Sequence, residues 1–194
     1  MAVRKKNTIR YIITVFIITF LIAAFFSSGL EAILRYFPLT VTWILLIIVI
    51  TINVMFDTIG VAVTAANEAP HHARAAKKVF GAKQSIYLIK HADRVANFAS
   101  DIVGDITGTL SGAMGATIIV SLLYNHPQLS KWKIILNVLI LALIASFTVA
   151  GKAWGKTIGI NNANSILSVT GRIIAGFERV TKLNLTKTSK KGGK

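Results

Sequence analysis

Three acidic residues stand where the chain is otherwise apolar. Asp57 lies in "INVMFDTIGVAVT", and Asp101 and Asp105 lie in "NFASDIVGDITGTLSGAMGATIIVSLL". A helix turns about 100° per residue, so Asn97, Asp101 and Asp105 fall within about 80° of one another. Asn53 and Thr58 accompany Asp57, and Asn137 sits in a further apolar run. The set is all oxygen, the ligand type that hard cations such as magnesium prefer. An isolated charge at mid-membrane costs at least about 2.5–3.5 kcal/mol on insertion scales. Each carboxylate therefore needs a cation, a basic side chain or a shared proton. The competing reading is interhelical hydrogen bonding, with Asp101 close enough to the boundary to be hydrated. Asp57 together with Asp105 favours an ion or substrate path, the usual meaning of intramembrane acids.

Gly104, Gly108, Gly112 and Gly115 fall on or beside the stripe of Asp101 and Asp105. Small residues let helices approach closely, so this stripe is expected to be the helix-packing face, with the carboxylates turned into a bundle or a wet cavity. His71 and His72 are adjacent and point about 100° apart on a helix, so they are not a ligand pair and are expected at the surface. The chain has no HExxH, nucleophile elbow or phosphate loop, and no enzyme chemistry is expected.

The elements that must position these groups are membrane helices. Of 194 residues, 54% are hydrophobic, against about 45–50% in soluble domains. The excess is gathered in four runs: Ile9 to Ser27, Pro38 to Thr64, Asn97 to Tyr124, and Ile134 to Gly151. Each is near the roughly 20 residues of a spanning helix, and only helices satisfy their own backbone in lipid as single segments. The expected fold is an all-α integral membrane protein with four transmembrane helices. No cysteine is present, which excludes disulfides and thiolate metal sites.

The formal net charge is +15. All but Arg35, Lys131 and Lys133 of the 22 basic residues fall on one side of the four spans. That asymmetry predicts a multi-pass protein of the cytoplasmic (plasma) membrane with both termini cytoplasmic, and anionic lipid rather than nucleic acid as partner. The first run is read as an uncleaved anchor, since it is long and lacks a clear A-x-A site. Between the second and third runs, residues 67–96 are expected to form juxtamembrane amphipathic helices. Asn67 would cap the first, Ala69, Ala73, Ala76 and Phe80 would share a face, and Gly81 would break it. Ile86, Ile89, Ala92 and Ala96 would share a face of the second. After the fourth run, Ile166, Val169, Ile173 and Val180 predict another surface helix. Residues 1–37 thus form a basic segment with an additional anchor, 38–180 the main membrane domain, and 181–194 a basic disordered tail.

The order "MFDTIGVAVTAANEAPHHARAAKKVFGAKQSIYLI", "NFASDIVGDITG" and "TVAGKAWGKTIG" resembles the membrane domain of the CNNM/CorC (CorB) magnesium transporters. The resemblance covers roughly Pro38 to Val180. It implies a homodimer that binds or moves a divalent cation, magnesium or cobalt, and a stand-alone form without the regulatory cytoplasmic domains. The family's ion-site positions fall on Asp57, Ser100 and Asp105, which become the implied metal ligands, with Asn53, Asn97 and Asp101 as accessory polar groups. A family glutamate falls on Lys152, an inversion of charge, and the family's P-K pair falls on Gly155 and Lys156. Lys152 is therefore a candidate internal counter-charge. A second reading follows from it: a non-transporting scaffold or regulatory subunit whose aspartates pair with lysine. A third is a protein acting at anionic lipid through its basic helices.

Overall fold

The computed structural model describes residues 2–36, 38–183 and 186, with the backbone alone described for 2–8, 10–11 and 30–36. The side chains of Arg4, Lys5, Lys6, Arg10 and Arg35, and the expected tail at 184–185 and 187–194, lie outside the described residues. The chain is all-helical: α1 (Ala2–Tyr36), α2 (Leu39–Ala65), α3 (Glu68–Ala76), α4 (Ala82–Lys90), α5 (Ala92–Ala96), a π-helical segment (Asn97–Val103), α6 (Gly104–Asn125), a 3-10 turn (Pro127–Trp132), α7 (Lys133–Asn161) and α8 (Ala163–Thr181). Among the described residues, four stretches are long and apolar enough to cross a membrane: Ile12–Gly29, Leu39–Ala65, Ala92–Asn125 and Pro127–Asn161. The protein is a multi-pass membrane protein by this measure. The fourth stretch runs a further ten residues past the expected end at Gly151. "GKAWGKTIG" has no proline to stop it, and its glycines lie within α7 instead of capping it.

The chain divides into two compact units, one comprising 1–53 and 102–150, the other 54–101 and 151–194. In the first, Leu46, Met114, Ile118 and Ile144 form the core, with Val49, Ile50 and Ile140 packed around it. α1 packs on α6. Phe16, Phe20 and Phe25 of α1, and Val138 and Leu139 of α7, remain exposed. Outward apolar side chains suit a helix whose solvent is lipid. The hydroxyls within the span bond back to their own helix, Thr107 Oγ1 donating to the Val103 carbonyl at 2.7 Å and Ser111 Oγ to the Thr107 carbonyl at 2.8 Å.

The packed face of α6 differs from the expected glycine stripe. It consists of Gly104, Ile106, Thr107, Leu110, Ser111, Met114, Gly115, Ile118 and Ile119. Gly104 and Gly115 belong to it, and a Cβ on Gly115 would lie 2.6 Å from Ile144 Cδ1. Gly108 and Gly112 stand half-buried at its margin, and a Cβ on Gly112 would meet nothing within 4 Å. Asp105 lies beyond the margin and is exposed. The large side chains Leu110, Met114 and Ile118 gain more contact than glycines can, so they take the centre of the interface.

In the second unit Val63, Leu88 and Leu167 form the core, supported by Ile59, Ile89, Val95 and Ile174. Asn67 caps α3 as expected, its side chain accepting from Ala69 N at 3.1 Å. α3 ends earlier than expected, before Lys78 at φ 55°, and Phe80 is outside it. Gly81 precedes α4 at φ 82°, in the left-handed region that favours glycine. There α4 crosses α8 at very short range. A Cβ on Gly81 would lie 2.6 Å from Arg172 N, and one on Gly171 would lie 2.5 Å from the Gly81 carbonyl oxygen. Ser85 Oγ, buried, shares its proton between the carbonyls of Leu167 at 2.9 Å and Gly81 at 3.1 Å. The apolar face read from sequence in α8 is its outer one: Val169, Ile173 and Val180 are exposed, while Leu167, Ser168, Gly171 and Ala175 face inward.

His71 corrects a sequence expectation. It is not a surface residue; it is 1% exposed on the inner side of α3, whereas His72 is outward and bonded to Glu68 at 2.8 Å. The direct reason is helical phase: the 100° between neighbours sends one imidazole in and the other out. Neither ring nitrogen of His71 has a hydrogen-bond partner of good geometry. Burial holds its pKa below the usual histidine value; the nearby Asn164 side chain offsets this in part, and Arg74 adds to it.

Two outcomes follow. Gly171→Ala should cost about 1–3 kcal/mol through overpacking against backbone that cannot yield, read as a Tm lower by several degrees in detergent. His71 binds fewer protons folded than unfolded, so stability is greatest above its unfolded value near 6.5 and declines as pH falls through and below it. His71→Gln should flatten the Tm profile between about pH 5 and 7.

Candidate functional site

Asp57 is held in the second unit where α2 meets the last turns of α7. The approach is made possible by Gly151, Gly155 and Gly159, spaced four apart on one face of α7. A Cβ on Gly151 would lie 2.8 Å from Val54 Cγ2, and one on Gly159 would lie 2.9 Å from the Thr58 carbonyl oxygen. On Gly155 it would collide with Thr58 Oγ1. This small-xxx-small row was missed in the sequence, although its spacing is the usual signature of close helix contact.

The contact encloses Asp57, which is 3% exposed. Its Oδ2 makes no hydrogen bond and has the Lys156 amine at 3.9 Å. The lysine side chain is 55% exposed, so this counter-charge reaches in from the surface and is loosely held. Lys152, the expected counter-charge, is half-buried one turn earlier. Asn53, in the first unit, is fully buried with neither amide atom hydrogen-bonded, and a Cβ on Gly108 would lie 3.8 Å from its Nδ2.

The second unit also carries an open recess of about 370 Å³, lined by Gly60, Val61 and Thr64 of α2 and by Asp93, Ala96, Asn97, Ser100 and Asp101. Asn97, Ser100 and Asp101, all singled out in the sequence, are thus gathered at one place, and Asp57 lies outside it. Asp93 joins them unforeseen, because it lies before the apolar run that drew notice. Gly60 lets the wall close: a Cβ there would collide with Ser100 Oγ and lie 3.4 Å from the Ala96 carbonyl oxygen. Asn97–Val103 are π-helical, not α-helical as the even apolar run implied. The wider i→i+5 turn presents Asn97 and Asp101 as exposed side chains while Ala99 is buried.

Chemically the recess offers two carboxylates with neutral amide and hydroxyl oxygens. Among the described residues no group of three His, Cys, Asp or Glu is placed to hold a metal ion. Such a donor set does not form a closed cage. It fits a cation that keeps part of its water shell, as magnesium does when held by one or two carboxylates. Asp105, the third ligand implied by resemblance, belongs to the first unit and is exposed there. Comparison with protein-family models, curated proteins and solved structures gives no match.

Lys156→Gln should leave Asp57 buried without a counter-charge. Breaking a fully buried pair costs about 3–5 kcal/mol. The exposed amine and its 3.9 Å separation reduce the expected loss here to about 1–2 kcal/mol. Adding Asp57→Asn should return most of that stability, as read by a double-mutant cycle in thermal melts.

Proposed function

We propose that this multi-pass protein binds a divalent cation, magnesium foremost, and passes it across the cytoplasmic membrane. The observation that carries the reading is the recess that gathers Asp93, Asn97, Ser100 and Asp101 against α2. Its oxygens would receive the ion with part of its hydration shell. Asp57 would act deeper, its negative charge available when Lys156 swings away. The resemblance to the CNNM/CorC membrane domain supports the same reading. It also supports action as a homodimer, and the basic-residue asymmetry supports cytoplasmic termini.

A second reading is favoured by the Asp57–Lys156 pair itself. A carboxylate already neutralised by an internal lysine serves a non-transporting scaffold or regulatory subunit, in which the pair fixes the register of α2 on α7.

Magnesium titration of the purified protein separates the two. Under the transport reading, magnesium at about 100 times its Kd adds about 2.7 kcal/mol, a Tm rise of several degrees. Asp101→Asn and Asp93→Asn should abolish the rise, and Asp57→Asn should abolish uptake into liposomes. A flat response to magnesium, with Lys156→Gln still destabilising, would leave the scaffold reading standing.

A further inference from the structure

A second cavity, of about 130 Å³, lies among α3, α4 and α8. It is well above the roughly 10–15 Å³ that one water needs. His71 forms its buried wall, and Arg74, Ser85, Ser168 and Arg172 contribute the other polar groups. The two guanidiniums are partly organised already. Arg74 Nη1 donates to Ser168 Oγ, and Arg172 Nε donates to the Ser168 carbonyl at 3.2 Å. Ser168 Oγ in turn donates to the Asn164 carbonyl at 2.7 Å, which leaves it an acceptor toward Arg74.

We propose that this cavity binds a phosphate group, held by the Arg74 and Arg172 guanidiniums at its rim and by the His71 imidazole at its wall. Three observations support it together. First, His71 is 1% exposed and both ring nitrogens lack a partner of good geometry, a costly arrangement that a ligand oxygen would relieve. Second, two arginines from different helices converge with no carboxylate lining the cavity to neutralise them. Each guanidinium presents a planar fork of donors suited to phosphate oxygens. Third, Gly81 and Gly171 bring α4 and α8 so close that the cavity walls are fixed by backbone.

The groups facing His71 are Arg74 on its own helix, Asn164, Ser168 and Arg172 on α8, and Ser85 on α4. In the absence of an anion this surrounding holds the imidazole pKa below its usual value. A bound phosphate reverses the balance and favours the protonated ring, so binding is tighter at lower pH. The same chemistry is supplied by a lipid headgroup or by a soluble phosphate.

The test uses the full chain in two arms. In lipid-free detergent, inorganic phosphate is titrated and the Tm followed. In nanodiscs, phosphatidic acid replaces part of a phosphatidylcholine background. A saturable Tm rise in the first arm identifies a soluble phosphate, and a rise confined to the second identifies a headgroup. In whichever arm responds, Arg74→Gln and Arg172→Gln should each raise the half-saturating concentration about tenfold, measured from each variant's own baseline. Lys83→Gln, which removes the same charge from the exposed side of α4, should not. If the arginine variants do not fold, the His71 imidazole is titrated by NMR in the wild-type chain, where the responding ligand should raise its pKa. No saturable response in either arm, an equal response in the arginine variants and Lys83→Gln, or an unmoved His71 overturns the proposal.

Discussion

The close seating of α2 on Gly151, Gly155 and Gly159 governs what the membrane part of this protein can hold. Lipid supplies no hydrogen bonds and no counter-ions, so a carboxylate at that depth survives only if the protein surrounds it. The three glycines bring α7 against Val54 and Thr58, and the carboxylate of Asp57, between those residues in sequence, is enclosed as a result. The same approach brings Lys156 within ion-pair range. A bulkier row would hold the helices apart and leave Asp57 to face hydrocarbon at a cost of several kcal/mol.

The recess and the smaller cavity are built differently. The recess is open, acidic and lined from a π-helical stretch. The cavity is basic and framed by α3, α4 and α8, with glycine and serine contacts locking α4 on α8. Both occur in the unit that contains α3, α4 and α8, where polar residues and glycines are concentrated. The other unit is simpler, an apolar helix packing with Thr42, Asn53, Thr107 and Ser111 as its buried polar residues among those described.

What the sequence disclosed was the part controlled by composition. Hydropathy and length located all four spans, because a membrane helix must be apolar along most of its length. Asn67 declared the start of α3, since its side chain satisfies an otherwise unpaired backbone donor. Faces were harder. Glycine spacing on α6 suggested a packed stripe of Gly104, Gly108, Gly112 and Gly115, but the bulk of Leu110, Met114 and Ile118 set the face, which keeps only Gly104 and Gly115. Helical phase alone could not tell which of His71 and His72 turns inward, since that depends on where α8 docks. The resemblance pointed to Lys152 as the counter-charge of an intramembrane aspartate; Lys156, one turn later on the same face, is the lysine that reaches Asp57, because the depth of α2 on α7 decides which one does.

The π-helical stretch at Asn97–Val103 has one more consequence. Each i→i+5 closure accommodates one residue more than an α-helical turn, and the surplus is absorbed within the stretch. Shortening the stretch by one residue alters the turn that presents Asn97 and Asp101. A relative lacking that residue would retain the same packed face on α6, yet Ser100 and Asp101 would no longer stand where they do. The packed face of α6 and the placement of Ser100 and Asp101 can therefore change independently through a single insertion or deletion, without any side chain being exchanged.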